Sequence, residues 1–96
     1  MKVYIAGKIT GDPNYREKFA VFAEVEQKRG NVVLNPAILP TGLSQADYMR
    51  ICFAMIDCAD EVSFISDYRD SVGARLEWDY CKKIGKPLSV YAIARA

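Results

Sequence analysis

The sequence predicts an α/β domain built on a parallel sheet, and three observations carry that expectation. Four short apolar runs rich in β-branched and aromatic residues alternate with three longer stretches whose apolar residues recur at helical spacing. Gly7, Gly30, the Asn35–Gly42 segment and Gly85 with Pro87 punctuate the switches between them. The resulting order is β-α-β-α-β-α-β, and right-handed crossovers in such an order place helices on both faces of the sheet.

Lys2 to Ala6 suits a buried parallel strand and is ended by Gly7. Gly7-Lys8-Ile9-Thr10-Gly11-Asp12-Pro13 is a loop whose two glycines allow close backbone approach to a ligand, although plain turn chemistry uses the same residues. The GxxxxGK[ST] spacing of a P-loop is absent. Asn14 to Arg29 is an amphipathic helix: Tyr15, Phe19, Phe22 and Ala23 share a stripe, Val21 and Val25 widen it, and Gly30 ends it. Asn31 to Leu34 is the second strand. Asn35 to Gly42 is a long Pro/Gly loop, apolar for a loop, and serves either as a lid over a ligand or as packing against the sheet.

Ser44 to Ala59 is the next helix, capped by Ser44. Between Tyr48 and Ala59 only Arg50 and Asp57 are charged, and a helix apolar nearly all round is buried on more than one side. A subunit interface is the preferred explanation; a central helix beneath the long loop is the alternative. Asp60-Glu61 is a turn, Val62 to Ser66 the third strand, and Asp67 to Asp70 a charged loop. Leu88 to Ile93 is the last strand, and Ala94 to Ala96 form a tail.

The most informative stretch runs from Asp70 to Pro87. Asp70 or Ser71 caps its start, Gly85 stands where a helix ends, and Pro87 blocks continuation. At about 100° per residue, Ala74, Cys81 and Ile84 share one face with Trp78 and Tyr80 at its flanks; Arg75, Asp79, Lys82 and Lys83 take the other. Glu77 falls inside the apolar face, where a carboxylate is costly to desolvate unless something pairs with it. It is either a structural acid bonded to a tyrosine or to loop amides, or a catalytic carboxylate near the mouth of a cleft. Perturbed acids gather at functional sites, which favours the second. Ser71 and Gly73 lie at the helix N-terminus, which suits an anion, although a plain N-cap is the simpler reading of Ser71 from this stretch alone. Ligands on parallel sheets bind beyond the carboxyl ends of the strands, so Gly7–Thr10 and Asp67–Glu77 are expected to face each other across one cleft.

Composition narrows the chemistry. Ninety-six residues make one domain with one core, small enough that help from a partner chain is expected. The net charge is +1 with mixed signs, so nothing points to a nucleic-acid polymer or a membrane surface. A hydrophobic content of 51% excludes disorder. Cys52, Cys58 and Cys81 form no CxxC pair and read as reduced core residues of a cytoplasmic protein, with no zinc site. The absence of histidine removes Ser-His-Asp and Cys-His systems and most catalytic zinc sites, leaving acid–base work to carboxylates, Tyr, Lys or Cys. The N-terminus already reads as a strand, so no signal peptide is expected, and no apolar run is long enough to span a membrane.

Three motifs carry a resemblance covering nearly the whole chain: Val3-Tyr4-Ile5-Ala6-Gly7 followed by Lys8-Ile9-Thr10-Gly11; Ile56-Asp57-Cys58-Ala59-Asp60-Glu61-Val62; and Ser71-x-Gly73-x-x-x-Glu77 followed by Gly85-Lys86-Pro87. In that order they resemble the nucleoside 2-deoxyribosyltransferases and 2-deoxynucleoside 5-monophosphate N-glycosidases, and within them the small DUF4406 proteins. The expected fold is a three-layer Rossmann-like (flavodoxin-like) domain with a four-stranded parallel sheet in order 2-1-3-4. The resemblance implies that Glu77 is a nucleophile that attacks the anomeric carbon of a 2-deoxyribosyl group, forming a covalent intermediate that a second base or water resolves. It implies that the Tyr4 hydroxyl orients Glu77 and that Ser71 contacts a 5-phosphate. Ser71, Gly7 and the positive Lys8 favour a nucleotide over a free nucleoside, and Ile9 and Gly73 join them as expected substrate-binding residues. No cofactor or metal is called for, and a neighbouring chain is implied to complete the site through the Tyr48–Ala59 helix. One departure stands out: the family Asp eight residues before Asp60 is here Cys52. Asp47, Asp57, Asp67 and Asp70 are candidate substitutes, and Asp70 is preferred for its place beside Ser71, although a solvated loop charge or a cap explains it equally. A non-catalytic nucleotide-binding module on the same fold is the rival reading.

Overall fold

A computed structural model describes residues 1–91. Strands β1 (Lys2–Ala6), β2 (Val32–Leu34), β3 (Glu61–Ile65) and β4 (Leu88–Tyr91) form one parallel sheet in the order β2-β1-β3-β4. Helices α1 (Tyr15–Lys28), α2 (Gln45–Cys58) and α3 (Val72–Ile84) connect them. This is the expected α/β architecture with its 2-1-3-4 order. Residues 92 and 93 of the anticipated last strand, and the tail, lie outside the described residues.

Side-chain alternation along the strands divides the core in two. Tyr4 and Ala6 of β1 pair in register with Val62 and Phe64 of β3 and face Cys52 and Ile56 of α2 and Ala74 and Cys81 of α3. Ile5 and Ile65 face the other way, where Phe19 and Ala23 of α1 and Ala37 of the long loop cover them. Both faces of the sheet are thus covered, as a parallel sheet requires. Trp78 fastens α3 to β3 by an edge contact with Phe64, at 5.1 Å between ring centroids, and by stacking on Tyr68 at 4.8 Å.

The helix ends follow the residues. Ser44 Oγ accepts the Asp47 N–H at 3.1 Å while Asp47 Oδ2 accepts the Ser44 N–H at 3.4 Å, a capping box. Ser71, and not Asp70, caps α3, its Oγ accepting the Ala74 N–H at 3.2 Å. Gly85 closes α3 at φ 69°, the left-handed conformation that glycine adopts without a Cβ penalty.

Several expectations need correction. Val21 and Val25 are exposed, and the place at the end of the α1 stripe belongs to Glu26, which is buried. Ile84 is 46% exposed, because the last turn of α3 runs past the edge of the core. Strand β3 begins one residue early, since Glu61 pairs with Val3; Ser66 instead opens a 3-10 turn, Ser66–Asp70. The long loop is partly ordered as a 3-10 turn over Pro36–Ile38.

Glu26 is accommodated by partners. Tyr91 donates its hydroxyl to Glu26 Oε2, Asn31 Nδ2 donates to Oε1 at 3.0 Å, and Arg29 approaches Oε2 at 3.4 Å. Among the described residues no helix is long and apolar enough to cross a membrane, and all three cysteines are free; Cys52 and Cys81 are buried, whereas Cys58, at the end of α2, is exposed and not the core residue expected.

Because Phe64 of β3 is fully buried against Trp78, Phe64→Ala is expected to cost about 3–5 kcal/mol. Val21→Ser, on the exposed side of α1, is expected to change stability by no more than about 0.5 kcal/mol. Urea unfolding midpoints measure both.

Candidate active site

Beyond the carboxyl ends of the strands lies a cavity of about 730 Å³. The chain leaves β1 toward β2 on one side of the sheet and leaves β3 toward β4 on the other, and crevices at such reversals are where open α/β sheets take ligands. The loop after β1 supplies Gly7, Ile9 and Thr10; the start of α1 supplies Tyr15; the loop after β2 supplies Pro36, Leu39 and Thr41. Helix α2 adds Gln45, Tyr48, Met49 and Cys52. The remaining wall is Asp70 through Ala74 with Leu76 and Glu77, together with Tyr4 of β1. The long loop therefore both packs, through buried Ala37, and lines the cavity; the Tyr48 hydroxyl ties it to α2 by donating to the Pro40 carbonyl at 2.5 Å.

Glu77 and Tyr4 meet in this wall. The Tyr4 hydroxyl donates to Glu77 Oε2 at 2.6 Å. Among the described residues Glu77 Oε1 has no hydrogen-bond partner and is not fully buried, and Glu77 is part of the cavity lining. Burial raises the Glu77 carboxyl to about 7, opposed by the Tyr4 hydrogen bond. Burial, then the neighbouring Glu77, pushes Tyr4 well above the usual phenol value, so it remains a donor. Cys52 stands beside Tyr4, its thiol raised to about 11 chiefly by burial, and so adds no charge to the pair.

Of the other anticipated residues, Gly7, Ile9, Asp70, Ser71 and Gly73 line the cavity and Lys8 does not. The backbone N–H of Lys8 donates to Asp67 Oδ1 at 3.0 Å. Gly7 allows an approach between protein segments: a Cβ there would stand 3.1 Å from the Ile65 side chain and 3.2 Å from Asp67 Oδ1. Among the candidate acids, Asp47 is held by the capping box, Asp57 by the Tyr80 hydroxyl at 2.5 Å, and Asp67 by Lys18 and Lys8. Among the described residues Asp70 alone of these acids shares the cavity with Glu77, and no lysine or arginine lines it. Among the described residues no cluster of acids and cysteines is able to hold a metal ion.

Gln45, Tyr48 and Met49 were not singled out in the sequence as site residues. Their i, i+3, i+4 spacing marks one face of α2, a signal that gives a shared face without giving its neighbour. Leu76 of α3, also not among the expected site residues, lies at the cavity while 48% exposed.

A family model described as a domain of unknown function, DUF4406, matches residues 1–90. No curated protein sequence matches the chain. Among solved structures, a 2-deoxyribosyltransferase from the psychrotolerant bacterium Bacillus psychrosaccharolyticus superposes with a TM-score of 0.72 at 18% identity, covering 99% of this chain and 77% of that one. At that identity the likeness is one of fold.

The raised Glu77 pKa has a signed consequence for stability. Below about pH 4.5 the acid is protonated in folded and unfolded chains alike, and its contribution is fully present. As pH rises from there through about 7 the unfolded chain ionises first, so the folded state loses stability. The loss is on the order of 3 kcal/mol. Glu77→Gln is expected to remove this pH dependence and to be more stable than wild type at pH 8; urea midpoints at pH 5 and pH 8 for both proteins measure it.

Proposed function

The chain belongs to the DUF4406 family, and from that membership and the geometry of the cavity we propose that it cleaves or transfers at the N-glycosidic bond of a 2-deoxynucleoside or 2-deoxynucleotide through a covalent deoxyribosyl–Glu77 intermediate. The observation that carries the reading is a buried carboxylate in the cavity lining, with one oxygen held by Tyr4 and the other without a partner among the described residues. Ionised Oε1 attacks the anomeric carbon; the bond to the base breaks and the base leaves with its electron pair. A carboxylate first stabilises the oxocarbenium-like transition state and then traps it. Attack by water or a second base at the same carbon breaks the ester and frees Glu77. Tyr4 fixes the carboxylate plane, and Asp70, the other acid in the lining, is placed to contact the leaving base or the sugar. Gly7, Ile9, Ser71 and Gly73 form the walls against the sugar.

The charge of the lining favours an uncharged nucleoside over the nucleotide expected from the sequence. Among the described residues a phosphate would meet two acids, no cation, and only Ser71 and the first-turn N–H groups of α3. The second reading is a binding module without turnover, favoured by the neutral Cys52 where the related enzymes carry an acid. The proposal also includes a homo-oligomer through the Tyr48–Ala59 helix, supported by a shallow, mostly apolar groove lined by Leu34, Arg50, Ile51, Ala54, Met55 and Cys58.

Incubation with 2-deoxynucleosides and their 5-monophosphates, followed by chromatography of free base, is expected to show release by wild type and none by Glu77→Ala. Tyr4→Phe removes a hydrogen bond to a charged group and is expected to lower kcat about 10- to 100-fold. The activity of wild type is expected to rise with pH through about 7 as Glu77 ionises. No release by wild type, with or without an acceptor base, supports the binding module. Sedimentation at micromolar concentration is expected to show a dimer or larger; a clean monomer removes the oligomer from the proposal.

A further inference from the structure

Lys18 stands on α1, outside the cavity lining, yet its ammonium joins two of the cavity's walls. It donates to Asp12 Oδ2 at 2.5 Å and to the Lys8 carbonyl at 2.9 Å, both in the loop after β1, and to Asp67 Oδ2 in the turn after β3. An ammonium has three donors, so the set is complete. Asp67 closes the ring by accepting the Lys8 N–H on Oδ1 at 3.0 Å. Asp12 secures the far end of the loop: its Oδ1 accepts the Asn14 N–H at 2.9 Å, and its own N–H reaches the Ile9 carbonyl at 3.1 Å. The side chains of Lys18, Asp12 and Asp67 are only 16%, 22% and 18% exposed, so solvent screens these pairs less than it screens surface ones.

The segments tied in this way carry the site. The loop after β1 presents Gly7, Ile9 and Thr10 to the cavity, and the turn after β3 leads directly into Asp70 and Ser71. Between them stands one cation shared by two carboxylates. Remove it, and two like charges face each other across the same gap and push the walls apart.

The geometry points to Lys18 as a positioning residue that sets the spacing between the loop after β1 and the turn after β3 without touching the ligand. The inference rests on the cavity being the substrate site. Nothing in the sequence marks Lys18, which reads as one polar residue among several on α1.

The test uses Lys18→Met, Lys18→Arg and Asp67→Asn in the full chain, with two readouts. Amide hydrogen exchange needs no ligand. Loss of the charge-assisted contacts in Lys18→Met is expected to speed exchange at Lys8 about tenfold or more, while core amides of β1 and β3 keep wild-type protection and Lys18→Arg stays near wild type. With 2-deoxynucleosides as probes, Lys18→Met is expected to raise KM about tenfold while kcat stays within about threefold, the split of a binding geometry loosened with the reacting groups intact. Wild-type protection at Lys8, or an unaltered KM beside a lowered kcat, overturns the inference. If Lys18→Met does not fold, Asp67→Asn, which keeps an acceptor for the Lys8 N–H and removes one charge, carries the same comparison. A uniform loss of protection across the sheet in that variant overturns it too. If wild type turns over no probe, the glycosidase reading fails, and the exchange readout still decides whether Lys18 holds the two walls.

Discussion

Burying one carboxylate is the constraint on which the rest of this structure turns. Glu77 is 6% exposed on the apolar face of α3, and an ionised acid is expensive there unless something meets it. The Tyr4 hydroxyl meets one of its oxygens, which requires β1 to turn Tyr4 toward the α2–α3 layer and α3 to lie across β1 at the right height. The Phe64–Trp78 and Tyr68–Trp78 contacts hold α3 there, and the caps at Ser71 and Gly85 define its ends. Cys52 fits the same constraint. A second carboxylate at that position would place like charges together in a poorly solvated region, whereas a thiol raised to about 11 remains neutral beside Tyr4 and Glu77.

Much of this was legible in the sequence, for physical reasons. Glu77 stood out because a period of 3.6 put it among Ala74 and Cys81, and no polar face explained it. The fold was legible because its strands and helices carry different periods and because glycine and proline mark the ends. The misreadings came from the same source. Val21, Val25 and Ile84 have the right residue type and nearly the right angle, but each lies past the margin of the surface that its helix buries. Periodicity gives the direction in which a side chain points and is silent on how far the partner extends.

Non-local pairings were the least legible. That Asp67 binds Lys18 and Asp57 binds Tyr80, leaving Asp70 alone at the cavity, is decided by residues 49 and 23 positions apart in the first two cases. No local pattern ranks four aspartates in this way. Lys8 illustrates the converse: its charge suggests a contact with an anion, while its backbone is what the structure uses.

The two faces of the sheet offer a comparison within one molecule. Glu26 and Glu77 are both buried, at 4% and 6% exposure, and each receives a tyrosine hydroxyl. Glu26 is also met by Asn31 and Arg29, so both of its oxygens are engaged and it works as mortar between α1, β4 and the turn before β2. Among the described residues Glu77 has one oxygen without a partner. Burial alone would rank the two acids as equals. The two acids differ in how many of their oxygens are met: both for Glu26, one for Glu77 among the described residues.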